Sequence, residues 1–161
     1  MQISNAMADL MNAQVGNELG ASNQYVQIAS YFDGEGLSRL AKFFYAQAEE
    51  EREHAMKFVH YLMDVGAGLS IASIPATKTE IGTAEKAFEM SLSWEQDVTG
   101  QINAMMELAI QEKDYASQAF LQWFVTEQVE EVSTMENMLQ VVRRAGEKNL
   151  LMMEAYLTHS E

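Results

Sequence analysis

Apolar residues recur every three or four positions along four long stretches of this chain, the spacing that lays one face of an α-helix against a core. In the first stretch Met7, Met11, Gln14, Glu18, Ala21, Tyr25, Ile28 and Phe32 share a face, and in the second Leu40, Phe44, Gln47, Glu51, His54, Phe58 and Tyr61. The third carries Phe88, Leu92, Glu95, Val98, Ile102 and Met105; the fourth carries Leu121, Phe124, Gln128, Glu131, Met135, Met138 and Val142. The breaks predict helices over about 4–32, 37–65, 83–111 and 115–145, followed by a short apolar tail helix over about 147–158. Gly34 and Gly36 close the first, Gly66 and Gly68 the second, and Gly146 the fourth.

The stretch at about 66–82 holds the only proline, Pro75, and is the one long connector. A helix of about 28 residues is about 42 Å long, and 17 extended residues reach roughly 56 Å. The connector therefore crosses the whole bundle, while the other turns are short. Helices one and two run antiparallel, as do three and four, and the crossover makes two and three parallel. The expected architecture is an all-α, single-domain four-helix bundle over 1–161, with one long crossover and a short fifth helix.

Each core stripe is interrupted by acidic residues near its middle, and the interruptions repeat. Glu18, Glu51 and His54 recur 77 positions later as Glu95, Gln128 and Glu131, and in each half 33 residues separate the lone Glu from the pair. Two helix hairpins related by a pseudo-two-fold axis would aim these groups at one centre. Four clustered carboxylates in an apolar interior are destabilising when ionised, since each costs several kcal/mol to desolvate and like charges repel. The stripes carry no Lys or Arg, so either protons or bound cations compensate. Two divalent ions would balance Glu18, Glu51, Glu95 and Glu131, with one carboxylate bridging. A lone Glu-x-x-His is weak evidence, but the repeated constellation on all four helices is specific. Oxygen-rich coordination with one imidazole suits Fe(II), Mn(II) or Zn(II).

Composition narrows the chemistry. A net charge of −14 with no basic cluster excludes nucleic acid and anionic lipid as partners. The absence of cysteine rules out thiolate ligands and disulfides. No apolar run approaches the roughly 18 residues of a membrane span, and the start lacks a signal-peptide pattern; a cytoplasmic location is expected. The twelve methionines read as core and subunit-contact material, Trp94 and Trp123 as core or near-core, His60 as exposed, and His159 as the end of the tail.

The segment Ala46-Gln47-Ala48-Glu49-Glu50-Glu51-Arg52-Glu53-His54 resembles the helix-two ligand motif of bacterial non-haem ferritins. Phe120-Leu121-Gln122-Trp123-Phe124-Val125-Thr126-Glu127-Gln128-Val129-Glu130-Glu131 resembles their helix-four motif. The resemblance spans essentially the full chain and implies a ferritin-like di-iron bundle that stores iron. Carried over by position, one iron is bound by Glu18, Glu51 and His54, and the other by Glu51, Glu95 and Glu131 with Gln128 beside it. Tyr25 matches a tyrosine kept close to the irons, and Glu50, Glu127 and Glu130 match a third, weaker iron site. The implied activity is ferroxidase, oxidising Fe(II) to Fe(III) with dioxygen or hydrogen peroxide before storage as ferric mineral. The implied assembly is a hollow homo-oligomer of 24 chains with the tail helix around its four-fold axes. Haem is not expected: bacterioferritins carry a second Glu-x-x-His where this chain has Gln128 and Glu131, and a haem-binding methionine where it has Arg52. Miniferritins, which lack the tail helix, fit less well.

Overall fold

Helices form where the apolar periodicity places them, and their ends are fixed by backbone caps. The computed structural model describes residues 2–158. Its elements are α1 (Asn5–Gly34), α2 (Ser38–Asp64), α3 (Ala84–Glu112), α4 (Tyr115–Ala145), a 3-10 turn (Glu147–Asn149) and α5 (Leu151–Thr158), with no strand among the described residues. His159 lies outside the described residues.

Three helices end in the same way. Leu37 N–H donates to Phe32 O and Gly36 N–H to Asp33 O at the end of α1, and Ala67 and Gly66 do likewise to Leu62 and Met63 at the end of α2. At the end of α3, Asp114 and Lys113 take those roles on Ala109 and Ile110. These paired bonds satisfy carbonyls that the helix leaves open, and they need a left-handed residue. Gly36 and Gly66 supply it at φ 74° and 69°, whereas Lys113 adopts φ 56° without glycine's freedom. That is why sequence punctuation marks the first two turns more plainly than the third. The starts of α1, α3 and α4 are capped by Ser4, Thr83 and Asp114, whose side chains accept from the backbone N–H groups of Met7, Lys86 and Ser117.

The chain direction follows from cross-helix contacts. Gln2 N–H donates to Val65 O, and Phe32 stacks on Phe44 at 5.6 Å, so α1 and α2 are antiparallel. Arg143, near the end of α4, pairs with Glu85 and Glu89 near the start of α3 at 2.7 and 2.6 Å. Phe44 and Phe88 meet at 5.0 Å, both early in their helices, so α2 and α3 are parallel. This is the expected one-crossover bundle.

The connector runs along α1. Ser70 N–H donates to Asn12 Oδ1 at 2.6 Å. Farther along, the Gln24 amide both accepts from Lys78 N–H at 2.8 Å and donates to Lys78 O at 3.0 Å. Tyr31 OH then donates to Gly82 O at 3.2 Å.

The core divides into two apolar blocks. One contains Tyr25, Ile28, Phe32, Phe44, Phe88, Met135 and Val142; the other contains Met7, Met11, Phe58, Leu62, Ile102, Leu121 and Phe124. The polar residues of the four stripes occupy the layer between them.

The tail departs from the uninterrupted helix expected from residue 147. Glu147 is drawn onto the start of α3, accepting from Ala84 N–H at 3.2 Å and Glu85 N–H at 3.0 Å. The chain turns there before α5 begins. Glu154 of α5 accepts from Arg39 N–H at 2.8 Å and Leu40 N–H at 3.0 Å, and so caps α2, whose own cap position, Leu37, has no side-chain bond. Met153 is buried among the residues of the first block, while Leu151 and Met152 stay 75% and 65% exposed. Replacing Glu154 by alanine should therefore lower stability by about 1 kcal/mol, the usual value of a helix cap. The check is the thermal midpoint of the metal-free protein, with Glu154→Gln intermediate.

Candidate metal centre

Between the two apolar blocks, Glu18 of α1, Glu51 and His54 of α2, Glu95 of α3, and Gln128 and Glu131 of α4 are all buried. Their mid-helix positions bring them to one depth. Three groupings place ligand atoms within 4.8 Å of one another: Glu18, Glu51 and His54; Glu51, Glu95 and Glu131; and His54, Glu127 and Glu131. The first two share Glu51 and coincide with the sets carried over from the ferritin resemblance. His54 presents Nδ1 to Glu51 at 3.7 Å and Nε2 to Glu127 at 4.0 Å.

The electrostatics are those of carboxyls crowded together out of water, which favours their protonated forms. Burial, then the negative charge of Glu51, raises the Glu18 carboxyl well above the usual range. Burial and Glu95 do the same to Glu51. Glu131 is pushed up to about 8 by burial and by Glu95. Glu95 is raised by burial, but donors from Tyr25 and Gln128 pull it back toward the ionised form. Burial and Glu95 together hold Tyr25 as a neutral phenol, so it can donate.

The donors that steady the carboxylates come from one helical turn away for Glu18 and from neighbouring helices for Glu95. Gln14 Nε2 donates to Glu18 Oε1 at 2.8 Å, leaving Glu18 Oε2 buried with no protein donor. Tyr25 OH donates to Glu95 Oε1. Gln128 Nε2 faces three acceptors: Glu95 O at 3.1 Å, Glu95 Oε2 at 3.4 Å and Thr99 Oγ1 at 3.3 Å. Thr99 spends its own hydroxyl proton on Glu95 O at 2.8 Å, so only an N–H can face it, and this orients the Gln128 amide. Sequence reasoning missed Gln14 and Thr99 as participants. Their signal was the four-residue offset from Glu18 and Glu95, which puts them on the same helix face.

The outlying candidates separate. Glu127 is half-buried beside His54, Glu50 is exposed with its carboxylate accepting from Gln47, and Glu130 is exposed and in none of the three groupings. Trp123, expected in or near the core, is 41% exposed. It lies one position off the α4 seam and covers His54 edge-on at 5.4 Å, with the Lys57 ammonium 4.5 Å from its ring.

The donor set fits divalent cations. It is all oxygen and imidazole, its carboxyls hold protons that a cation would displace, and one buried carboxylate oxygen is orphaned. A family model for the ferritin-like domain matches residues 8–145. The chain belongs to the ferritin family. Ferritin BfrB of Mycobacterium tuberculosis is 40% identical over 148 residues, covering 92% of this chain and 81% of that protein. The bacterial non-heme ferritin of Staphylococcus aureus is 37% identical over 145 residues, covering 90% and 87%. An open-pore ferritin from the hyperthermophilic archaeon Archaeoglobus fulgidus superposes with a TM-score of 0.93 at 34% identity, over 97% of this chain and 96% of that one.

The raised carboxyls of this ferritin centre give its metal-free form a definite pH dependence. Below about 4.5 Glu131 is protonated whether the chain is folded or not, and its contribution to stability is fully present. Between there and about 8 the unfolded chain loses a proton that the native site keeps, so stability falls as the pH rises. Denaturant midpoints of metal-free protein should decline from pH 5 to 8, and Glu131→Gln should flatten the decline. A midpoint rising over that range would contradict the assignment.

Proposed function

We propose that this ferritin-family protein stores iron and that its buried centre is a ferroxidase, oxidising Fe(II) before mineral forms inside a hollow shell. The observation that carries the reading is the pair of ligand groupings sharing Glu51. One ferrous ion is assigned to Glu18, Glu51 and His54, and the other to Glu51, Glu95 and Glu131. Four carboxylates balance two divalent charges, which removes the repulsion that otherwise holds protons in the site. Metal pairs that share a ligand sit about 3.5–4 Å apart, close enough for each Fe(II) to give one electron to the same dioxygen. Two electrons and two protons turn dioxygen into hydrogen peroxide, leaving two Fe(III); hydrogen peroxide is an alternative oxidant.

The chain's own residues hold this geometry. Gln14 and Gln128 steady Glu18 and Glu95, Tyr25 keeps a neutral hydroxyl against Glu95, and Trp123 with Phe124 walls the imidazole. The neutral Gln128 binds the second ion less firmly than a carboxylate would and favours release of Fe(III). A third, weaker ion is assigned to Glu127 with Glu50 and Glu130, on the α2–α4 side. No haem is assigned, since exposed Arg52 supplies no soft axial ligand. The proposed assembly is a cytoplasmic homo-oligomer of about 24 chains, roughly 430 kDa from 18.1 kDa subunits.

Anaerobic titration of the purified assembly should show two tightly held Fe(II) per chain, and air should then produce iron that co-elutes with the large particle. Glu51→Ala should abolish tight uptake of both ions, and His54→Ala of one. Oxidation without retained iron would leave a di-metal oxidase that does not store; no stoichiometric uptake would end the proposal. Gln128→Glu should slow mineral growth several-fold more than the first oxidation, because the second Fe(III) would be held by an added charge. Equal slowing of both phases would contradict the release role.

A further inference from the structure

Gln47 stands on the core face of α2, one turn before Glu51, and is only 7% exposed. The two ends of its amide differ. Nε2 donates to the carboxylate of Glu50, while Oε1 is buried with no partner among the described residues. Turned the other way, the amide would set its oxygen against the ionised carboxylate, so Glu50 fixes the orientation and the core holds an unpaired acceptor. The bond draws the Glu50 carboxylate back toward the start of α2. His54, which forms a ligand grouping with Glu127 and Glu131, lies one turn farther along the helix in the other direction. Glu50 belongs to none of the three groupings.

We propose that Gln47 is a latch that holds Glu50 off the third ion and so makes that ion's site a place of transit. The inference rests on the reading above of Glu127 with Glu50 and Glu130 as a third, weaker iron site, and it gives the weakness a cause. A cation at Glu127 has to draw Glu50 away from an amide donor before that carboxylate can bind it. The lost hydrogen bond subtracts from the ion's affinity. Both positions are open to Glu50 by rotation of its own side chain, because residues three before and four after it share its helix face. Releasing Glu50 also strips the buried amide of its one bond, a cost that favours reclosure once the ion moves on. Gln47 acts through Glu50 and touches no ion, which makes it a positioning residue.

The test is calorimetric titration of the metal-free, full-length assembly with Co(II) alone, on wild type, Gln47→Met, Glu50→Gln and the double variant. Wild type should take two Co(II) per chain tightly and a third weakly. Gln47→Met roughly keeps the side-chain volume and removes both polar ends. It should leave the first two affinities unchanged and tighten the third about tenfold, the worth of one hydrogen bond to a charged group. In the Glu50→Gln background the same substitution should change the third affinity less than about twofold, a coupling that a merely structural role would not show. A third affinity that Gln47→Met leaves unchanged or weakens overturns the latch, as does tightening that persists without the Glu50 carboxylate. If Gln47→Met does not assemble, Gln47→Asn, whose amide is one methylene shorter, is held to the same outcomes. A third ion found only in the variant supports the latch, and no third ion in either protein overturns it. Fewer than two Co(II) on wild type instead overturns the di-iron reading, and that outcome involves no variant of Gln47.

Discussion

Carboxylates from four helices converge at the middle of the bundle, where none of the core stripes carries a Lys or Arg to neutralise them. Desolvating each ionised group costs several kcal/mol, so without a bound cation the centre retains protons and the fold must offset the cost. It does so by enclosing the polar layer between two apolar blocks. In the one around Phe32, Phe44 and Phe88 and the one around Phe58 and Phe124, each fully buried aromatic contributes about 1.5–3 kcal/mol. Holding the charge between two such blocks keeps every helix in register at the centre.

That register is defended at the ends of the helices. Paired backbone bonds close α1, α2 and α3, and the tail crosses the end of the bundle where α2 and α3 begin. Glu147 and Glu154 supply carboxylates to those two helix starts, where the partial positive charge of the helix favours an anion. The Gln24 amide clamps the crossover at Lys78 from both sides. Ligands mounted mid-helix on elements secured at both ends hold their geometry better than ligands on loops would.

Residues around the centre divide by how they were detectable. Glu18, Glu51, His54, Glu95 and Glu131 were legible because acidic residues interrupt apolar stripes at a repeated spacing, and a 3.6-residue period leaves little freedom about which face they occupy. The seven-residue offset put Tyr25 on the same face as Glu18, and its place beside the centre came from the ferritin resemblance. Thr99, Gln14 and Trp123 were not legible in those roles, because a hydroxyl, an amide or an indole beside a seam reads equally as filler. Only the approach of α4 to α3 shows that Gln128 meets Thr99, and only the packing of α4 on α2 puts Trp123 over His54.

From the amino-acid order alone came the helices, the crossover, the faces turned inward and the acidic layer, since all are consequences of local period and of reach along the chain. Tertiary structure alone decided which oxygens pair, that Lys113 closes α3 in a left-handed conformation, that the tail caps α2 more than a hundred residues earlier in the chain, and that Gln101 lies against Asn17 across 84 positions. The physical reason is one of range. Periodicity is fixed by neighbours within a turn or two, whereas a hydrogen bond between distant side chains depends on how whole helices settle against one another.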